Sequence, residues 1–339
     1  MSLQRILKLL CAAPGVSGDE HCAALAAKEL LSEFARTEID ALGNVTGRID
    51  GKGKHILLDA HIDQIGLIIT QADKSGFLRF ARCGGADERL LCGAQVTVHG
   101  TKPLYGIICS TPPHLTKPED RGKPVSADKL GIDIGLSYDK ACELVNPGDR
   151  VTFNGEYIEL LNGRVCSPSL DDRAGVAVVL RTLELLRQSG TNANITVVFS
   201  SREETGGGGA RAAAFTAAPE LAIAYDVSFG DSPGVPEREC KSLGTGAMIG
   251  CSPMLSRRIT NELTSVAVKH SLPYTTEVMR GRTGTNADDI TASLGGIETG
   301  LISMPIRNMH SPVEVAQLSD LEACALLTAK FIEEAANNA

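Results

Sequence analysis

The sequence Ile56-Leu57-Leu58-Asp59-Ala60-His61-Ile62-Asp63 joins an apolar, strand-like run to two residue types that bind metal ions. It lies within a segment, Thr37 to Thr70, in which short runs of Ile, Val and Leu are broken by Gly and Asp. This pattern predicts strands of a central sheet. Imidazole and carboxylate groups suit zinc, cobalt or manganese, so the stretch also predicts a metal site at the end of a strand. Taken alone, His61 is equally well explained as a core histidine hydrogen-bonded to Asp63.

Four further places carry the same residue types, and most of them end or follow an apolar run. They are Asp171-Asp172-Arg173, Glu203-Glu204, Asp226 and His310. Each has an ordinary alternative: the aspartate pair precedes an apolar helix and could cap it, and Asp226 could accept hydrogen bonds from backbone amides. Two adjacent carboxylates at a strand end, however, repel each other unless a cation lies nearby. The folded sheet could therefore bring all five places together along one edge.

The charges of this group match a pair of divalent ions. Asp171, Glu204 and Asp226 would carry −3 against +4, and one bound hydroxide would make the site neutral. The nearby run Gly206-Gly207-Gly208-Gly209 lacks the Lys-Ser or Lys-Thr of a phosphate-binding loop. We interpret it as close chain packing at the start of a helix.

The order of the apolar patterns predicts an α/β fold with a mixed central sheet flanked by helices. A Ser17-x-x-Glu20 pattern predicts a capping box before an N-terminal helix, and helix and strand alternate again after Pro168. Between these parts, short β-like runs are closely punctuated by Gly and Pro. We therefore expect residues 1–70 and 162–339 to form one catalytic domain, with residues 71–161 as an inserted, small all-β domain.

The composition is that of a globular protein without a nucleic-acid-binding surface. Among the 339 residues, 43% are hydrophobic and 22% charged, and the formal net charge is −8, which disfavours binding to phosphate groups. We find neither a signal peptide nor a membrane span in the sequence and expect a cytoplasmic protein. The ten cysteines include no Cys-x-x-Cys pair, so we expect reduced thiols that mostly fill the core.

The motifs around these residues resemble those of a known family. Its matching segments are Ala60-His61-Ile62-Asp63-Gln64-Ile65-Gly66, Leu170-Asp171-Asp172-Arg173-Ala174-Gly175, Arg202-Glu203-Glu204-Thr205-Gly206, Asp226-Val227, Gly281-Arg282-Thr283-Gly284-Thr285 and Met304 to Glu314. In this order they resemble the cobalt- or zinc-dependent aminopeptidases that include glutamyl aminopeptidase and the tetrahedral aminopeptidases, some of them known as cellulase M-like proteins.

This resemblance implies a role for each candidate residue. Asp171 would bridge two metal ions; His61 and Asp226 would complete one ion's ligands, and Glu204 and His310 the other's. Glu203 would be the general base, Asp63 would orient His61, and Asp172 would support the bridging residue through an unusual peptide bond. One departure is Gln64, where the family usually has Glu. Another is Gly207-Gly208, which is more flexible than the usual sequence.

The implied function is hydrolysis of the N-terminal residue of short peptides, through a bridging water activated by two divalent ions and a glutamate base. Zinc or cobalt are the expected metals, with manganese as an alternative. The family also implies a dimerisation role for the inserted domain and a homo-oligomer, dimer-based and up to a dodecamer, with no nucleic-acid or membrane partner. The alternatives are a metal-dependent deacylase or carboxypeptidase, and an inactive peptide-binding scaffold. Arg280 or Arg282 could face an acidic substrate group.

Overall fold

The computed structural model describes residues 2–118 and 122–337, and it confirms an α/β fold with a mixed sheet, flanking helices and a small all-β unit. The helices are α1 (Leu3–Cys11), α2 (His21–Leu31), α3 (Tyr138–Leu144), α4 (Leu170–Ser189), α5 (Gly208–Ala217), α6 (Arg257–Lys269), α7 (Asn286–Thr291) and α8 (Leu318–Asn337). The strands are β1 (Arg36–Ile39), β2 (Val45–Ile49), β3 (Lys52–His61), β4 (Gly66–Ala72), β5 (Leu78–Cys83), β6 (Gln95–His99), β7 (Pro103–Cys109), β8 (Gly131–Asp133), β9 (Arg150–Phe153), β10 (Ile158–Glu159), β11 (Arg164–Ser167), β12 (Ala193–Ser200), β13 (Leu221–Phe229), β14 (Ala247–Cys251), β15 (Tyr274–Val278), β16 (Glu298–Arg307) and β17 (Glu314–Gln317). Among the described residues, no helix is both long and apolar enough to cross a membrane.

The large sheet has eleven strands within the described ranges. Its order is β1-β2-β12-β3-β13-β16-β17-β11-β10, and β14 pairs with both β16 and β15. The central strands β12, β3, β13 and β16 are parallel, whereas β2, β17 and β11 pair antiparallel. Parallel strands are covered on both faces, which explains why β3 reads as a continuous apolar run. All its residues from His55 to His61 are buried.

Helices cover both faces of this sheet. Leu58 and Tyr225 belong to the large core that α1, α2, α4, α6 and α8 share. Leu57 and Ala224 belong to a smaller core with α5 and α7. The alternation follows from the strand period of two, which sends successive side chains to opposite faces.

The small all-β unit is a closed barrel in the order β4-β5-β8-β7-β6-β9. Its strand pairs are antiparallel, and its separate core contains Leu67, Val98, Ile132 and Val151. Closure removes the unpaired strand edges that would otherwise expose backbone N–H and C=O groups. The barrel interrupts the large sheet in sequence, between β3 and β10.

The carboxyl ends of the central strands lie level at one edge of the large sheet. His61 at the end of β3 is in register with Ser200 at the end of β12, and Asp226 in β13 is in register with Ser303 in β16. Ligands of open parallel sheets bind at this edge. The topology therefore decides which candidate side chains can meet.

Two local predictions were wrong. The capping box does not form: α2 begins at His21 after Glu20, which makes no side-chain cap, and Ser17 donates its hydroxyl to Asp63 instead. The ten cysteines are all free, as expected, but only Cys166, Cys240 and Cys324 are buried, so most of them do not fill the core. The first prediction failed because the Asp63 carboxylate, which is distant in sequence but close in the fold, accepts the Ser17 hydroxyl that the helix cap would have used.

A fully buried arginine joins the start of the chain to the functional edge. Arg173, in α4, donates through Nε to the carbonyl of Ile62 at 2.7 Å and through Nη1 to the carbonyls of Leu10 and Ala13. Its Nη2 lies 3.4 Å from Oε1 of Gln64. One guanidinium thus satisfies carbonyls from the end of α1 and from the segment just after β3.

Replacing this guanidinium by an apolar side chain should destabilise the fold. For Arg173→Met we expect a loss of about 2–4 kcal/mol in the free energy of unfolding, because several buried carbonyls lose a charged donor. Arg187→Met is the control: Arg187, on the same helix, is exposed and lies 4.7 Å from the Phe34 ring, so we expect about 1 kcal/mol or less. Urea unfolding followed by circular dichroism compares them, and equal losses would show that the buried guanidinium is dispensable.

Candidate metal centre

The functional edge brings together the five places that the sequence singled out. His61 is the last residue of β3, Asp226 lies in β13, and Glu203 and Glu204 begin a single 3-10 turn after β12. Asp171 lies at the start of α4, and His310 follows β16, which extends to Arg307. The side chains of all five places therefore come from different elements of one domain.

Asp171 lies at the centre of this cluster. Its Oδ1 is 3.0 Å from Nε2 of His61, and its Oδ2 is 3.2 Å from Nε2 of His310. His61 Nε2 is also 3.9 Å from Oδ1 of Asp226, and His310 Nε2 is 3.5 Å from Oε1 of Glu204. One carboxylate thus faces two imidazoles, each of which has a second carboxylate beside it.

These contacts define two groups of metal-binding atoms. The first is His61, Asp171 and Asp226, and the second is Asp171, Glu204 and His310. Within each group one ligand atom from every residue lies within 4.8 Å of the others. A nitrogen and two oxygens in each group form the donor set that zinc and similar ions accept. The residues present therefore fit two divalent ions that share Asp171.

The carboxylates of the cluster carry an electrostatic cost without a cation. Burial raises the pKa of Glu203 to about 7, and the negative charge of Asp171 adds to the rise. Burial and the charge of Asp171 likewise raise the pKa of Glu204 to about 8. The pKa of Asp226 is raised well above its ordinary value, by burial first. Buried like charges destabilise the ionised forms, and bound cations would remove this penalty.

The two imidazoles respond in the opposite direction. Hydrogen bonding to Asp171 raises the pKa of His310 to about 9 against the effect of its burial. Burial alone would lower the pKa of His61, but hydrogen bonds with Asp171 and Asp63 raise it well above the ordinary value. The acidic cluster thus favours protonation of these two rings.

The inner ring nitrogens have partners that fix the orientation of both histidines. Nδ1 of His61 lies 3.2 Å from the backbone oxygen of Asp63 and 3.3 Å from its Oδ1. Nδ1 of His310 lies 3.3 Å from the carbonyl oxygen of Gly85, in the loop after β5 of the barrel. When Nδ1–H of a neutral ring donates to these oxygens, Nε2 can offer its lone pair to an ion beside Asp171.

Asp63 also organises the glutamate pair. Its Oδ1 accepts from the backbone N–H of Glu203 at 3.0 Å, and its Oδ2 accepts from that of Glu204 at 3.1 Å. The Ser17 hydroxyl donates to Oδ2 at 2.6 Å. Asp63 therefore ties the end of β3 to the turn after β12, which fixes His61 and both glutamates relative to each other.

Glu314 is a positioning residue whose role the sequence pattern did not indicate. Its Oε2 accepts from the backbone N–H of Asp171 at 3.1 Å, and its Oε1 accepts from that of His310 at 2.9 Å. The side chain is buried, and burial raises its pKa well above the ordinary value. Glu314 lies within a matching motif, but only the tertiary contacts reveal what it holds.

Asp172 and Asp171 have separate roles. The peptide bond between them is cis, and both residues have non-helical dihedral angles. Asp172 Oδ1 accepts from the backbone N–H of Gly175 at 3.0 Å, as an N-cap does. The helix-cap alternative is thus right for Asp172, whereas Asp171 faces the histidines.

The two departures from the family pattern lie beside the ligand cluster. Gln64 contacts Arg173 rather than either ligand group. In the glycine run, a Cβ on Gly209 would lie 2.3 Å from the carbonyl oxygen of Ser201, which confirms close chain packing at the start of α5. Gly207, with φ +70°, precedes this helix.

A cavity of about 500 Å³ opens onto the cluster. Asp171, Glu203, Glu204, Asp226 and His310 all line it. Arg280 and Arg282 are not among its lining residues, and Arg282 instead pairs with Asp288. A larger cavity of about 610 Å³ lies between the N-terminal segment and the barrel, but it contains none of the ligand candidates. The chemistry of the side chains, not cavity size, identifies the functional site.

Known proteins share this architecture over almost the whole chain. The M42 glutamyl aminopeptidase family matches residues 43–327. A lysyl aminopeptidase of Pyrococcus furiosus is 32% identical over 341 residues, which cover 97% of this chain and 96% of that protein.

Two solved structures extend the similarity. An aminopeptidase of the archaeon Desulfurococcus kamchatkensis has a TM-score of 0.91 and 33% identity, covering 98% of this chain and 94% of its own. The TET1 peptidase of Pyrococcus horikoshii, described as assembling into a tetrahedron or a large octahedral shell, has a TM-score of 0.86 and 33% identity, with 98% and 99% covered. The chain therefore belongs to the M42 glutamyl aminopeptidase family and is a metal-dependent peptide hydrolase of the aminopeptidase type.

Proposed function

We propose that this protein uses two divalent metal ions to remove N-terminal residues from short peptides. Zinc or cobalt is the proposed metal, with manganese as an alternative. His61 and Asp226 would hold one ion, Glu204 and His310 the other, and Asp171 would bridge them. The position of Asp171 carries the proposal, because its two oxygens face different histidines at 3.0 and 3.2 Å. Three ligand carboxylates leave a net positive charge on two divalent ions, which suits binding of a carbonyl oxygen and a hydroxide.

Glu203 is the proposed general base. It lines the cavity but belongs to neither ligand group, and the hydrogen bond from its backbone to Asp63 holds it beside them. When bound, the ions supply a lowered water pKa and a polarised substrate carbonyl. Glu203 accepts the proton of the attacking water and delivers it to the leaving amine nitrogen. Asp63 and Glu314 take no part in proton transfer; they orient the proposed ligands.

Two other activities use the same residues. A deacylase or carboxypeptidase could cleave an amide bond at such a centre. These enzymes do not need the free N-terminus that an aminopeptidase requires of its substrate. Glycoside hydrolysis needs two carboxyl groups placed on either side of a sugar and no metal. A peptide-binding scaffold would not need Glu203 in the cavity. The complete candidate ligand set with the separate carboxylate of Glu203 in the cavity favours the peptidase.

We propose a cytoplasmic location and a homo-oligomeric assembly for this protein. Ten free cysteines suit a reducing compartment. Relatives of known structure are described as a dodecamer and as tetrahedral or octahedral shells. We propose that this chain also forms a dimer-based homo-oligomer through residues 71–161, which would restrict access to short peptides.

Replacing Glu203 separates proton transfer from metal binding. For Glu203→Gln we expect kcat to fall by roughly 10² or more, because the amide cannot accept the proton, while two metals per chain persist. Turnover of aminoacyl-coumarin substrates and elemental analysis of the purified protein measure both quantities. Near-normal turnover would remove Glu203 from the base role.

The contact of the barrel with His310 predicts an effect on metal content. In Gly85→Ala, the new Cβ would lie 2.4 Å from Nδ1 of His310, so the ring must move. We expect about 10- to 100-fold weaker binding of one of the two ions. Gly208→Ala is the control, since its Cβ would meet nothing within 4 Å. Isothermal titration of the metal-free variants with zinc compares them, and two unweakened sites in Gly85→Ala would contradict the assignment of His310.

Metal removal separates the candidate activities. Treatment with 1,10-phenanthroline should abolish cleavage of Leu-coumarin and of short peptides, and zinc, cobalt or manganese should restore it after the chelator is removed. N-terminally acetylated peptides should not be cleaved, which distinguishes an aminopeptidase from a carboxypeptidase. Cleavage of a cellulose substrate that survives chelation would instead support a glycosidase.

A further inference from the structure

A second acidic group lies in the same cavity, outside both ligand groups. Glu277, on β15, lines the cavity together with Met279 and Leu301. Its Oε1 accepts a hydrogen bond from the hydroxyl of Ser228. Its Oε2 is shielded from solvent and has no hydrogen-bond partner in the described part of the chain. A carboxylate offers about four acceptor positions, so this group has unused capacity.

The serine contact locates this carboxylate relative to the ligands. Ser228 lies two residues beyond Asp226 on β13, and its side chain is therefore on the same face of the sheet, about 7 Å further along the strand. Glu277 reaches Ser228 from β15, which is separated from β16 by β14. The contact with Ser228 thus places the carboxylate beyond Asp226 along the strand, on the side of the cavity towards which a long substrate side chain would extend.

The charges around Glu277 leave it without a close counter-ion. No lysine or arginine lines the cavity, and no ion pair within 4.0 Å involves Glu277 in the described residues. Burial raises the pKa of Glu277, whereas the hydrogen bond from Ser228 and the more distant charge of Lys241 lower it. A half-buried carboxylate with one shielded oxygen and no counter-ion is unfavourable, and a cation from a ligand would reduce that cost.

The remaining walls suit an aliphatic stem. Met279, Leu301 and Phe229 also line the cavity. Lysine and arginine place an apolar stem against such surfaces and carry the charge at its end. An acidic side chain would instead bring a second negative charge towards Glu277.

We propose that Glu277 is a specificity residue that selects peptides whose first residue is lysine or arginine, by pairing with the cationic end of that side chain. The inference rests on the proposed aminopeptidase activity. Glu277 can contact the side chain of the first residue only if the ligand cluster is where the first peptide bond is cleaved.

The test compares Lys-, Arg-, Leu- and Glu-coumarin substrates on the metal-loaded enzyme and on Glu277→Gln. We expect the native enzyme to favour Lys and Arg over Leu, and the ratio of kcat/KM for Lys to that for Leu to fall roughly tenfold or more in the variant. Glu262→Gln, a half-exposed glutamate on α6 outside the cavity, is the control and should keep the native ratio. Metal content and circular dichroism verify that the variants are loaded and folded.

A second measurement does not depend on the variant. Free lysine and norleucine share the same stem, but only lysine has the terminal ammonium, so lysine should inhibit the native enzyme more strongly. An unchanged Lys to Leu ratio in Glu277→Gln, or equal inhibition by the two amino acids, would overturn the specificity role. No cleavage of any of the four substrates by the metal-loaded native enzyme would instead reject the proposed function itself.

Discussion

The shared carboxylate of Asp171 is the constraint on which the functional edge depends. Its two oxygens face two histidines from distant parts of the chain, at 3.0 and 3.2 Å, and two further carboxylates complete the surroundings. Such a concentration of buried acidic groups is unfavourable unless positive charge compensates it. The arrangement is therefore consistent with the proposed pair of cations, and the neighbouring contacts keep these groups in position.

Two buried carboxylates provide much of that positioning. Asp63 accepts hydrogen bonds from the backbone amides of Glu203 and Glu204. Glu314 accepts hydrogen bonds from those of Asp171 and His310. Each joins segments that are far apart in sequence. A carboxylate that accepts hydrogen bonds from two backbone amides fixes the backbone at both donors, so it orients the candidate ligand residues there. This preorganisation is built into the protein itself.

The barrel also takes part in the site. Gly85 lies in the loop after β5, and its carbonyl oxygen meets the inner nitrogen of His310. A larger residue has no room there, because its Cβ would overlap the ring. Because the barrel contacts a candidate ligand, its position affects the geometry of the centre. Its hydrophobic core nevertheless remains separate from that of the large sheet.

The sequence by itself determined the α/β class and the candidate ligands, because continuous apolar runs mark parallel strands and polar residues at their ends stand out against them. It also indicated the β-rich insert, through its glycine and proline spacing. It did not determine the roles of Ser17, Gly85, Glu277 and Glu314, since a local pattern cannot tell which distant group a side chain will meet. Ser17 shows this directly: its pattern predicted a helix cap, but the fold brings Asp63 within 2.6 Å and takes the hydroxyl. Only the tertiary structure decided those contacts, because strand register and helix packing, as between β12 and β3 and between α4 and β3, set distances between segments that the sequence leaves unrelated.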